Sequence, residues 1–207
     1  MTNTPAPTPP SALADGRRLL LASTSPFRRE LLARLQLPFQ VVAPQADETP
    51  WQGESPVDLV ARLAESKAGS VAGRESGALV IGSDQVAVLD DQILGKPGNH
   101  EQAVAQLVRA SGRTVSFYTG LCLLDSDSGR RQVEVVPFWV VFRPLMLAQI
   151  ESYLRREQPY RCAGSFKSEG LGIVLFERLE GEDPSSLIGL PLIRLIRMLE
   201  AEGVQVV

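Results

Sequence analysis

The chain has two cysteines and one histidine among 207 residues. Cys122 and Cys162 are far apart and lack the CxxC spacing, so neither a disulfide framework nor a structural zinc site is expected. His100 falls in a stretch that reads as a polar turn. Charge of one sign is also missing: 21 Lys and Arg stand against 24 Asp and Glu, a net charge of -3. That balance exerts no global pull toward nucleic acid or anionic membrane, so any attraction for an anionic ligand must be local. No apolar run approaches a membrane span, and no basic region followed by an apolar stretch marks export. These absences point to a cytoplasmic protein with neither nucleic acid nor membrane as partner.

What is present is an ordinary globular composition, 44% hydrophobic and 22% charged, with enough chain to bury a core. The first sixteen residues, MTNTPAPTPPSALADG, are proline-rich and apolar-poor and read as a disordered tail, leaving 17–207 as a single domain. LLLAS (19–23) is a buried-type strand that ends at hydroxyl residues. Ser25-Pro26 then starts a helix, with the hydroxyl as N-cap and proline where its missing donor costs nothing. A strand, FQVVAP, follows, and Ser55-Pro56 starts a second amphipathic helix that runs to about Val71.

The stretch 78–97 reads as an apolar strand, a break at GSDQ, a second strand, a tight Asp-Asp turn and a third strand ending at Gly-Lys-Pro. A helix over 100–110, long strands over 113–125 and 132–142, and helices near 145–157 and 189–202 complete the reading. Together they give an α/β fold with a mixed sheet and flanking helices.

Some residues are out of place for a purely structural role. Asp84 interrupts VIGSDQVAVL, where burial penalises a carboxylate unless it is paired, metal-bound or on a cleft; a turn residue capping an amide is the other reading. Lys67 continues the Leu59–Leu63 stripe and is either a surface lysine laying its stem on apolar neighbours or a cation aimed at a site. Lys96, between Gly95 and Pro97, has a backbone fixed by its neighbours. Asp47 and Glu48 form a carboxylate pair in a loop, equally consistent with a magnesium site or a solvated turn. Arg28 and Arg29 sit in a first helical turn, unfavourable for the helix dipole unless an anion binds there too. Phe27 is spaced to share a core stripe with Leu31 and Leu35, or to face a ligand.

Seven stretches in order, ASTSPFRRELL, ADETP, RLAESKA, GSDQ, GKP, SFYTG and CAGSFKSEGLGI, resemble the Maf-like nucleotide pyrophosphatase family, and the resemblance covers nearly the whole chain past the tail. It implies two lobes around a cleft, a fold related to the inosine triphosphate pyrophosphatase type, and cleavage of a nucleoside triphosphate between its α and β phosphates. Mapped onto this chain, it implies that Ser23, Arg28 and Lys167 bind substrate, that Asp84, Lys67 and Lys96 are catalytic, and that Glu48 and Asp84 hold Mg2+ or Mn2+. Phe27, Gln85 and Glu169 match the branch that hydrolyses 7-methyl-GTP; the dTTP and UTP branch carries arginine, threonine and glutamine there. The alternatives are a dTTP- or UTP-type enzyme, or a nucleotide-binding regulator of cell division without turnover. A homodimer is compatible with this reading.

Overall fold

A computed structural model describes residues 12–207. The expected tail lies outside the described residues as far as residue 11. From there the chain is already folded: Leu13 is buried, and its N–H donates to the carbonyl of Arg17 at 2.8 Å. Burial of Leu13 in a hydrophobic core offsets the entropy of ordering this stretch.

Strand β1 (Arg18–Ala22) leads into helix α1 (Pro26–Ala33), whose N-cap Ser25 accepts from the Arg28 N–H. β2 (Gln40–Val42) and α2 (Pro56–Ala72), capped by Ser55, follow. β3 (Ala78–Leu89) and β4 (Gln92–Leu94) form a hairpin through Asp90 and Asp91, both at positive φ (50° and 61°), the conformation that aspartate tolerates in tight turns. α3 (His100–Ala110), β5 (Thr114–Asp125), β6 (Arg131–Phe142), α4 (Leu147–Glu157), β7 (Phe176–Glu180) and α5 (Leu192–Ala201) complete the chain, with 3-10 turns at Ala163–Ser165, Leu171–Leu175 and Pro184–Ile188. Among the described residues no helix is long and apolar enough to cross a membrane.

Two expectations are corrected. GSDQ does not break a strand: β3 is continuous, and Ser83, Asp84 and Gln85 pair with Leu121, Gly120 and Thr119 of β5. Asp84 and Gln85 mimic a turn signal because they line a cleft, and Ser83 is buried with its Oγ donating to the Gly189 carbonyl; the backbone does not turn there. His100 is the first residue of α3 rather than part of a turn, since Asn99 caps that helix by accepting from the Gln102 N–H.

The strands form one sheet in the order β2-β1-β3-β5-β6-β7, with β4 on β3. β1 pairs in parallel with β2 and β3, and the remaining pairs are antiparallel. In β1, Leu19 and Leu21 pack with α1 and α5, while Leu20 and Ala22 pack with α2, so both faces are buried and the run is uniformly apolar. Two of the three twelve-residue strands, β3 and β5, run through two cores. Leu79, Ile81, Leu121 and Leu123 belong to the first; Ala87, Leu89, Val115 and Phe117 join α3, α4 and the Phe166 turn in the second. Asp84, Gln85, Thr119 and Gly120 lie where one core gives way to the other.

Helix α2 sits unusually deep on this sheet. A Cβ on Gly82 would lie 2.0 Å from the Ala64 carbonyl oxygen, and one on Gly120 would lie 2.1 Å from that of Val60. Only glycine permits that approach, and it brings Lys67, one turn beyond Ala64, against the neighbouring Asp84.

Candidate active site

A cleft of about 730 Å³ opens where the two cores meet. Its first wall comes from the β1–α1 turn, α2, β3 and the loop after β2. Lys67 is 5% exposed, and its Nζ donates to Asp84 Oδ1 at 2.6 Å and contacts Glu48 Oε1 at 2.8 Å. One buried ammonium therefore holds two carboxylates together. Burial of an unpaired lysine is costly, so the pairing is what allows Lys67 to continue the apolar stripe of α2. Asp84 uses only Oδ1 in this contact, which leaves Oδ2 without a donor among the described residues. The Lys67 hydrogen bond also holds Glu48 below the usual carboxylate range against some desolvation, with smaller pulls from Lys96 and Arg28.

Arg28 anchors on the main chain, its Nε donating to the Gly189 carbonyl at 2.8 Å, an acceptor shared with Ser83 Oγ at 2.9 Å. Burial lowers its guanidinium pKa, and Asp84 and Glu48 act against that shift. Ser23 is buried, and its Oγ accepts from the Ser25 N–H at 3.1 Å. The hydroxyl and the guanidinium thus stand beside the start of α1, where backbone N–H groups and the helix dipole also favour an anion.

The second wall comes from the β4–α3 connection and the irregular segment 158–169. Lys96 is exposed and makes no ion pair among the described residues. Lys167 Nζ pairs with Glu157 Oε1 at 3.1 Å, and Glu157 Oε2 accepts from the Leu171 N–H at 2.8 Å. Glu169 is exposed, with Ser168 Oγ donating to it at 3.3 Å. Cys162 lies among Lys167, Glu169, Glu157 and Lys96, and burial raises its thiol pKa. Gln85, between the walls, donates through Nε2 to Ser186 O at 2.7 Å and Thr119 Oγ1 at 3.0 Å.

The family described as Maf-like protein matches residues 18–202 of this chain. The chain belongs to the Maf-like family. A Nitrosococcus oceani protein named 7-methyl-GTP pyrophosphatase is 59% identical over 201 residues, covering 97% of this chain and 98% of that one. Among solved structures, the HAM1 protein of Coxiella burnetii superposes with a TM-score of 0.51 at 14% identity, covering 89% of this chain and 99% of the other, which is a likeness of fold.

In this Maf-like chain the ten residues that the family resemblance pointed to, Ser23, Phe27, Arg28, Glu48, Lys67, Asp84, Gln85, Lys96, Lys167 and Glu169, line one cleft, whereas Asp47 and Arg29 do not. Lys67 is not a surface lysine. Phe27 is half-buried on the cleft and leaves the core stripe to Leu31. The carboxylate pair divides: Glu48 reaches Lys67, while Asp47 accepts from the Thr49 N–H as an ordinary turn residue. Arg29 points to solvent. Sequence reasoning missed Tyr160, Arg161, Cys162 and Phe166 on the second wall, and the carbonyls of Ser186, Leu187 and Gly189 behind the first. Backbone acceptors carry no side-chain signature, and the wall residues lie where no helix or strand period marks them.

Proposed function

We propose that this protein hydrolyses 7-methyl-GTP to 7-methyl-GMP and pyrophosphate. The observation that carries the reading is the convergence of a Lys67-bridged carboxylate pair and of Phe27, Gln85 and Glu169 on one cleft, in a chain 59% identical to a protein named for that activity. In this scheme Asp84 Oδ2 orients a water on the α phosphorus and takes its proton. The new P–O bond forms as the bond to the α–β bridging oxygen breaks, and the charge that shifts onto the departing pyrophosphate meets Arg28, Lys67 and Lys96. Ser23 and Lys167 hold further phosphate oxygens.

Glu48 and Asp84 are hard oxygen donors, the kind that hold magnesium or manganese through one or two carboxylates together with substrate phosphates. Among the described residues no group of three or more His, Cys, Asp or Glu is gathered for a metal, so the remaining ligands would be phosphate oxygens and water. Bound there, the cation would neutralise phosphate charge.

The methylated guanine carries a positive charge. Phe27 offers it a face for a cation–π contact of roughly 0.5–2 kcal/mol, and Glu169 offers acceptors to guanine N1–H and the exocyclic amine. The deciding experiment incubates the protein with normal and N7-methylated nucleoside triphosphates, with Mg2+ or Mn2+, and measures pyrophosphate. The expected result is highest kcat/KM on 7-methyl-GTP and none after chelation. A preference for UTP or dTTP, or no release on any nucleotide, would overturn the assignment.

A further inference from the structure

We propose that Thr119 is a positioning residue for base selection: with a loop anchored by Asp183, it locks the amide of Gln85 so that Gln85 offers the cleft only its carbonyl oxygen. The inference rests on the reading of Gln85 as a base-selecting residue and adds its polarity and the device that sets it.

Gln85 and Thr119 are register partners on β3 and β5, so their side chains share a face of the sheet. Gln85 Nε2 has three acceptors for its two protons: Ser186 O at 2.7 Å, Thr119 Oγ1 at 3.0 Å and Leu187 O at 3.2 Å. The Thr119 hydroxyl in turn donates to Ser186 O at 2.9 Å, so its own proton is committed. Turning the amide over would set Oε1 against two carbonyl oxygens with no proton between them, and the one hydroxyl nearby would have to abandon Ser186. The amide therefore has one orientation. Oε1 is left without a protein partner among the described residues, on a side chain that lines the cleft.

The carbonyls that enforce this are held from behind. Asp183 is 1% exposed, and its carboxylate accepts from Ser185 Oγ at 2.6 Å, Ile193 N at 2.8 Å, Ser185 N at 3.1 Å and Arg194 N at 3.3 Å. Helix α5 begins after Pro191, whose side chain cannot cap it. Asp183 supplies that cap from a distant position, and Ser185 Oγ takes the Leu192 N–H at 2.7 Å. The segment from 183 to 192 is thus closed on itself, and it carries the acceptors for Gln85, Thr119, Ser83 and Arg28. With the Glu169 carboxylate also on the cleft, the protein presents acceptors at two points, which suits a base edge with adjacent donors, as guanine has.

Two measurements test this. In ligand-free protein, the side-chain ¹⁵N–H signals of Gln85, assigned by their loss in Gln85→Leu, should show protons protected from exchange. Thr119→Val, nearly isosteric, should reduce that protection about tenfold, the worth of roughly one buried hydrogen bond; Thr119→Ser should restore it, and Asp183→Asn should weaken it less. In turnover, Thr119→Val should lower the ratio of kcat/KM for 7-methyl-GTP to that for UTP about tenfold through KM, with Thr119→Ser close to wild type. Unprotected Gln85 protons in the wild type, protection unchanged in Thr119→Val, or an equal loss on both nucleotides would overturn the proposal. A wild type without 7-methyl-GTP turnover would sink the substrate assignment instead, and the exchange measurement would then decide the lock alone. If Thr119→Val fails to fold, Asp183→Asn and Thr119→Ser carry the same comparison.

Discussion

The wall of the cleft built from α1, α2 and β3 and the wall built from residues 158–169 are made in different ways. The first is pressed into shape: glycines at 82 and 120 let a helix touch the sheet backbone, and Lys67 and Asp84 meet at 2.6 Å with little freedom left, the more exposed Glu48 lying 2.8 Å from the same ammonium. The second is draped over a core of aromatic rings, with Phe166 packed edge to face against Phe117, Phe142 and Phe176, and its charged residues stand out into the cleft on short irregular turns. Chemistry that depends on fractions of an ångström belongs on the first kind of surface, and recognition of a variable ligand can be carried by the second. The comparison predicts that equal changes on the two walls will have unequal effects.

The largest effect is expected at the centre of the first wall. Asp84→Asn keeps shape and removes the negative charge that Lys67 and the proposed water both use, and turnover should fall at least about 10²-fold. Nucleotide binding, measured by calorimetry, should survive. Turnover near the wild-type rate would mean that Asp84 serves the fold, and the pressed wall would lose its chemical rationale.

A pair of glycines separates the walls by stability. Gly82→Ala drives a Cβ into the Ala64 carbonyl at 2.0 Å, and backbone cannot yield as a side chain can. A loss of about 3 kcal/mol is expected, at the upper end of overpacking, or roughly 6–12 °C in Tm for a chain of this size. The surviving folded fraction should be slow, because lifting α2 moves Lys67 away from Asp84. Gly95→Ala, beside Lys96 on the other wall, meets nothing within 4 Å and should stay within about 0.5 kcal/mol of wild type. Equal Tm losses would erase the distinction.

The same contrast explains what could be read from the sequence. The helices were legible because Ser25-Pro26 and Ser55-Pro56 are start signals with a local mechanism, and the strands because their apolar runs end at turn residues. Asp84 was conspicuous because a carboxylate within an apolar strand demands a partner. Its partner Lys67 looked ordinary, since a lysine on an apolar stripe is usually a surface residue; only the approach allowed by Gly82 and Gly120 turns it inward, and close packing across elements has no local signature. The strand break expected at GSDQ failed for a related reason, in that polarity facing a cleft resembles polarity in a turn. Strand β7 and the 3-10 turns, too short to show a period, were not foreseen at all.

At the base-facing residues, Glu169 on the second wall and Phe27 at the edge of the first, selectivity should change while chemistry holds. Glu169→Gln removes a charged acceptor, and Phe27→Arg sets a cation where a positively charged base is proposed to stack. Charge-assisted hydrogen bonding worth roughly 1.5–3 kcal/mol is lost together with the cation–π contact. The double variant should lose at least tenfold in kcat/KM on 7-methyl-GTP while its rate on UTP or dTTP holds or rises. Equal losses on every nucleotide would assign these residues to the reaction core.

The smallest effect concerns Glu48, which extends from a loop to the first wall and is the most exposed member of its charge cluster. Its side chain keeps 62% of its surface in solvent, so the Lys67 contact is screened and its contribution is modest. The sign is nevertheless fixed. The Lys67 hydrogen bond depresses the folded-state pKa below the ordinary 4.5, so the unfolded chain takes up a proton first as pH falls. The stabilisation is fully present above pH 4.5 and is lost as pH drops through the lower folded value. Wild type should therefore melt slightly above Glu48→Gln near pH 6, the gap should close as the pH is taken below 4.5, and added salt should narrow it at the higher pH. A gap that stays constant through the acid range would show that Glu48 supports the fold by shape rather than charge, and the bridged pair would reduce to Lys67 and Asp84 alone.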